Sequence, residues 1–272
     1  MKSDVRWVGF DMDECIGSVM PLFDFIHEVR GDALEHMFDL IYESEITGRT
    51  WLFRPAMFKT LRVLWSAMKT KKIEGAFVFS NNGSERLVQY VAAQLNYFVQ
   101  RMLNIPTANL FLMAIHMSAP CRKEFGAVKS YEAVQHCLAA HDLPQCSSPE
   151  HLLFFDDLSH VLQSQIFHYS QVSPYLNHTD VSILADVLRP LSESYDDWDA
   201  LIESAIESQR KEIRENGYIM EPQELSVMVE EESLFQKAIR NFLGSMKHSR
   251  MNKRNSNVSF GAKKTRKMRR RI

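Results

Sequence analysis

The sequence predicts an α/β protein: a Rossmann-like parallel sheet with helices on both faces, a small helical insertion after the first strand and a helical C-terminal extension. Two observations predict it. Short apolar runs rich in Val, Phe and Leu alternate with longer segments whose apolar residues recur at helical spacing, the pattern of repeated strand–helix units. Three of those runs stop abruptly at polar clusters, Asp11-Met12-Asp13, Ser80-Asn81 and Asp156-Asp157. In a parallel sheet such ends share one edge, where open α/β folds place ligands. With 272 residues and 45% hydrophobic content, the chain can bury a core of ordinary size.

The first strand runs from Val5 to Phe10. From Pro21 to about Glu45, residues Phe23, Ile26, Val29, Leu34, Met37, Phe38 and Ile41 recur at mostly helical spacing, with a turn at Gly31-Asp32; this predicts a helical insertion over about residues 20–50. Arg54-Pro55 opens the next helix, since proline suits a first turn, and Phe58, Leu61, Leu64, Trp65 and Met68 mark its buried face. The basic Lys69–Lys72 region suits its C-terminus. Gly75–Phe79 reads as the second strand, and Ser84 as the cap of a long helix with a Leu87, Val91, Leu95, Phe98, Met102 stripe. Leu110–Ile115 is a third strand, Ser130–Ala140 a helix, Leu152–Phe155 a fourth strand and Phe167–Val172 a short fifth.

The core and its insertion are expected over residues 1–191, an acidic helical extension over 192–244, and a basic, unstructured tail over 245–272. Trp198, Leu201, Ile202, Ala205 and Ile206 mark one amphipathic stretch of the extension; Leu234, Phe235, Ile239 and Phe242 mark another. The formal charge of −2 hides an asymmetry: the tail holds 11 Lys and Arg and no acid, leaving 21 basic against 34 acidic residues in 1–244.

The polar clusters suggest a chemistry. Paired carboxylates converging from two strands repel one another unless a divalent cation sits between them, and hard oxygen ligands favour magnesium over zinc. A carboxylate beside such a cation can attack phosphorus and form an acyl phosphate. A second acid two residues later can protonate the leaving oxygen and then activate water. Asp11 and Asp13 fit those roles. The equatorial phosphoryl oxygens also need donors, which Ser80, the backbone amide of Asn81 and a lysine can supply.

The string Phe10-Asp11-Met12-Asp13-Glu14-Cys15-Ile16-Gly17 resembles the first motif of haloacid-dehalogenase (HAD) superfamily phosphatases, a strand ending in Asp-x-Asp. Phe77-Val78-Phe79-Ser80-Asn81 is similar to the second motif, and Leu152-Leu153-Phe154-Phe155-Asp156-Asp157 to the acidic fourth, so the resemblance spans residues 5–172 in the right order. Asp-x-Asp-Glu, Arg54-Pro55 and Asp156-Asp157 most resemble the NLI-interacting-factor-like group, which includes phosphatases of the RNA polymerase C-terminal domain.

The resemblance implies a HAD-like fold and a magnesium-dependent phosphatase. Asp11 is then nucleophile and metal ligand, and Asp13 is acid/base with its backbone carbonyl on the metal. Ser80 and Asn81 bind phosphate, and Asp156 and Asp157 serve the metal, Asp157 directly or through water. Lys123 and Lys129 both lie where the third-motif lysine belongs; the family's usual placement, at the start of the helix before the fourth strand, favours Lys129. Cys15 departs from the family's Thr or Val, and Ile16-Gly17 from its usual continuation.

Cys15, Cys121, Cys137 and Cys146 show no CxxC or zinc spacing, and no secretory h-region opens the chain, which points to a reducing, intracellular setting, cytoplasmic or nuclear. No apolar run reaches a membrane span. The tail from Lys263 to Arg271 suits an import receptor or nucleic acid. A phosphoprotein is the expected substrate. A small-molecule or nucleotide phosphatase is the alternative within the fold, and a non-catalytic module recruiting protein or nucleic acid the alternative outside it.

Overall fold

The computed structural model describes residues 4–29, 31–158, 168–176, 179–216 and 232–244. Five strands, β1 (Trp7–Phe10), β2 (Gly75–Phe79), β3 (Phe111–Ile115), β4 (Leu152–Asp156) and β5 (His168–Gln171), form one sheet in the order β3-β2-β1-β4-β5. Every pairing is parallel, as the alternation of strands and helices predicts. The chain works outward from β1 to β3, then crosses back to place β4 on the other side of β1. The boundary between β1 and β4 is therefore the switch point where such sheets open a crevice.

Strand alternation divides the core in two. Val8, Phe10, Ala76, Val78, Leu153 and Phe155 face one layer, and Trp7, Phe77, Phe79, Leu152 and Phe154 the other. On the first face lie α1 (Phe23–Glu28), α2 (Asp32–Ile46), α3 (Ala56–Lys69), α4 (Glu85–Leu103), α6 (Val181–Leu188), α7 (Trp198–Asn216) and α8 (232–244). On the second face, α5 (Tyr131–Ala140) buries Ala133, Val134, Cys137 and Leu138. Helices thus cover both faces, but unequally.

Local chemistry sets the element ends. Ser84 and Ser130 accept the amides of Leu87 and Ala133, capping α4 and α5 as their position before a helical stripe predicts. Gly31 adopts φ +56° and breaks the insertion into α1 and α2 at the predicted turn. Pro55 precedes the first turn of α3. Strand ends differ by a residue or two from the expected ones: β1 begins at Trp7, β3 at Phe111, and β4 extends to Asp156.

The periodicity reading did not identify α6, whose Val181, Leu184, Ala185 and Leu188 are buried. The acidic extension also joins the main core. Phe235 of α8 stacks on Phe155 and lies over Phe10, and Arg6 donates to the Phe242 carbonyl at 2.7 Å. Residues 245–272, including the basic tail, lie outside the described residues, as does Phe167 of the expected fifth strand. Among the described residues no helix is long and apolar enough to cross a membrane.

Candidate active site

The site follows from register. Phe10 pairs with Phe155, and the two rings stack at 5.0 Å on the crowded face. One residue further, alternation turns Asp11 and Asp156 together onto the α5 face, and the Asp11 amide continues the ladder to the Phe155 carbonyl at 2.9 Å. Asp11, Asp156 and Asp157 can bring one carboxylate oxygen each within 4.8 Å of one another, and all three are buried.

Lys129 closes the cluster. It precedes Ser130, the cap of α5, and is 1% exposed. Its Nζ lies 2.7 Å from Asp11 Oδ1 and 3.1 Å from Asp156 Oδ2. Lys123, the competing lysine, is exposed on the surface. Burial works against the Lys129 ammonium, but Asp11 and Asp156 hold its pKa above the usual lysine value. Burial also pushes the Asp11 carboxyl up; Lys129 pulls it back, and the Asp156 charge adds to the rise.

Asp13 stands apart from the group of three: its carboxylate is not among the clustered oxygens, and its carbonyl accepts the Cys15 amide at 2.7 Å. Burial, and then the Asp11 charge, push its carboxyl up to about 7, while the Asn82 side chain holds it down. Its Oδ1 is buried without a hydrogen-bond partner. Asp157 is likewise raised to about 7 by burial and Asp11. Asp13 is thus a half-buried acid able to hold or release a proton near neutrality.

Ser80 follows β2 and is fully buried; its Oγ accepts the Asn82 amide at 2.9 Å. The Asn81 N–H has no acceptor among the described residues. Cys15 is buried, and burial lifts its thiol well above the ordinary range, so it is a neutral packing residue rather than a nucleophile.

Motif reading missed three supporting side chains. Asn82, two residues after Ser80, holds the Asp13 carboxyl down. Arg54 is fully buried and donates to the carbonyls of Cys15 (2.9 Å), Glu14 (2.7 Å) and Ser173 (2.6 Å), fixing the loop after Asp13, where Glu14 holds φ +59°. Its place before Pro55 was visible in the sequence, but its targets were not. Arg122 is fully buried beneath the Ser80–Asn81 turn. Beside it, Cys121 is disulfide-bonded to Cys137 of α5, 16 residues away. No spacing motif marks this pair, and the cysteine reading, which expected a reducing setting, did not anticipate it.

The loop after Asp13 folds back on residues 52–54 through Ser18 N to Leu52 O and Arg54 N to Ile16 O, both 2.9 Å. A Cβ on Gly17 would fall 2.0 Å from the Leu52 carbonyl oxygen, so only glycine fits this crossing.

No family model matches the chain, and neither does any curated protein or solved structure.

Proposed function

We propose that this chain is a magnesium-dependent phosphomonoester hydrolase that works through an aspartyl-phosphate on Asp11. One observation carries the reading: a buried ammonium, Lys129, bonded to two carboxylates that meet at the switch point of a parallel sheet, with a third alongside. Structural acids at strand ends ordinarily face solvent or cap a helix; these are removed from water and converge. The motif resemblance supports the same reading.

The donor set fits a hard divalent cation. Asp11, Asp156 and Asp157 offer oxygen alone, and one ammonium does not balance three carboxylates. Magnesium bound by these three would supply the charge neutralisation that lets an anionic phosphoryl group approach Asp11.

The protein's own groups then divide the work. Lys129, the Ser80 hydroxyl and the Asn81 N–H meet the equatorial oxygens. An Asp11 carboxylate oxygen bonds to phosphorus as the ester P–O bond breaks, and protonated Asp13 gives its proton to the departing oxygen. Asp13, now ionised, takes a proton from water; the water oxygen bonds to phosphorus, the acyl phosphate P–O bond breaks, and inorganic phosphate leaves. A phosphoprotein is the substrate class we propose, on the subgroup resemblance and on the basic tail, which suits an acidic macromolecule; the setting is intracellular, cytoplasmic or nuclear.

The test is hydrolysis of a generic aryl phosphate by the purified chain, with and without magnesium, beside Asp11→Asn. Magnesium-dependent turnover lost in the variant is the expected result. A folded wild-type chain no faster than the variant would leave a non-catalytic module as the better reading.

A further inference from the structure

We infer that Arg122 is the positioning residue of the phosphoryl-binding turn. The inference rests on the phosphatase reading above and deepens it. Arg122 sits in the short 3₁₀ turn Pro120–Arg122, one residue after the disulfide-bonded Cys121, and its side chain is fully buried. The guanidinium lies 4.4 Å from the centre of the Phe79 ring, directly beneath the end of β2. Nη1 donates to the Ser80 carbonyl at 2.5 Å; Nη2 donates to Asn81 Oδ1 at 2.7 Å and to the Gly126 carbonyl at 2.8 Å.

The consequence follows from peptide geometry. The Ser80 C=O and the Asn81 N–H belong to one planar unit and point in opposite directions. Holding the carbonyl against Arg122 turns the Asn81 N–H away from the guanidinium, and that N–H has no acceptor among the described residues. The side-chain amide of Asn81 is oriented in the same way, its oxygen taken and its nitrogen directed elsewhere. Through Gly126, the same guanidinium ties the turn to the segment that reaches Lys129 three residues later.

Three acceptors divided between two terminal nitrogens suit the guanidinium fork; an ammonium of equal charge reaches them poorly. A purely electrostatic role is also the weaker account, because the head is committed to three protein oxygens of the turn and its neighbouring segment.

The experiment is calorimetric titration of inorganic phosphate, with magnesium present, into the wild-type chain, Arg122→Lys and Arg122→Gln, together with titration of magnesium alone. The expected result is phosphate affinity weakened roughly 10- to 100-fold in both variants, with magnesium affinity within about twofold of wild type. Aryl phosphate kcat/KM should fall about 100-fold, the scale of losing one preorganised donor. Full phosphate binding by Arg122→Lys would overturn the inference in favour of charge alone. Parallel loss of magnesium binding would overturn it in favour of general support of the site. Arg122→Gln leaves no unpaired buried charge and carries the test where the lysine variant does not fold. A wild-type chain that binds magnesium but neither binds phosphate nor turns over ester overturns the phosphatase reading itself, which is distinct from wild-type binding that both variants retain.

Discussion

Replacing Lys129 by Met removes the ammonium from the carboxylate cluster while keeping a side chain of similar length. At an effective dielectric of about 20, the 2.7 and 3.1 Å contacts correspond to roughly 5–6 kcal/mol of gross attraction each. The desolvation of a lysine that is 1% exposed cancels much of this. The net cost of leaving the buried carboxylates uncompensated is about 3–5 kcal/mol. For a chain of this size each kcal/mol moves Tm by about 2–4 °C, so the metal-free variant should melt roughly 10 °C below wild type. The assay is scanning calorimetry in chelator, repeated in millimolar magnesium and at pH 5 and pH 8. Magnesium should raise the variant's Tm more than the wild type's, because the cation then replaces the missing charge; a concentration of 100 Kd adds about 2.7 kcal/mol. The deficit should be larger at pH 8, where the carboxyls cannot escape repulsion by holding protons. Turnover should be lost under all conditions. A variant as stable as wild type in chelator at pH 8, with no greater response to magnesium, would refute the view that Lys129 compensates these acids.

Further outcomes follow from the same geometry. Asp11→Asn should abolish aryl phosphate turnover and weaken magnesium binding by about tenfold or more in calorimetry, since an amide oxygen replaces one of three charged ligands. Gly17→Ala should lower stability by about 1–3 kcal/mol in urea unfolding and reduce turnover, because its Cβ would meet the Leu52 carbonyl oxygen at 2.0 Å. The metal-free chain should lose stability as pH rises from about 4 to about 7, read as a falling Tm. Asp13 and Glu45 both have folded pKa values raised to about 7 by burial, so between the unfolded and folded values the native state binds more protons, and its advantage is lost as they leave. A Tm that rises across that window would contradict the assignment of buried, protonated carboxyls.

The strands and most helices were legible because their signals are local. β2 ends at Phe79 as expected, and α4 carries Leu87, Val91, Leu95 and Phe98 fully buried along the predicted stripe. Asp11, Ser80, Asp156 and Asp157 were legible for a related reason: a polar residue ending an apolar run marks the carboxyl edge, and parallel pairing brings such edges together. Lys129 could be favoured over Lys123 only by resemblance, since nothing local separates a buried lysine from an exposed one. The roles of Arg54 and Arg122 were illegible in principle. Each acts on backbone carbonyls far away in sequence, Arg122 on Ser80 42 residues distant and Arg54 on Ser173 119 distant, and a carbonyl leaves no trace in residue identity. Phe235 was visible as apolar, but its stacking on Phe155, which makes α8 part of the sheet's cover, depended on tertiary packing.

Arg54, Arg122 and Lys129 divide one problem by element. The carboxylates lie at the ends of β1 and β4, where register alone fixes their separation, and need only opposing charge, which Lys129 provides from the start of α5. The turn after β2 carries no charge of its own and must be held in shape; Arg122 holds it through carbonyl and amide oxygens. The loop after β1 places Glu14 at positive φ, and Arg54 binds its carbonyls. Both guanidiniums are fully buried, and the Nε of Arg122 has no hydrogen-bond partner among the described residues. An unpaired buried donor costs about 1–3 kcal/mol. Apolar side chains of similar volume would avoid that cost if these loops had only to pack. The loops that flank Asp11 are therefore held by groups chosen for direction rather than for burial, which is what a site that must meet phosphoryl oxygens at set angles requires.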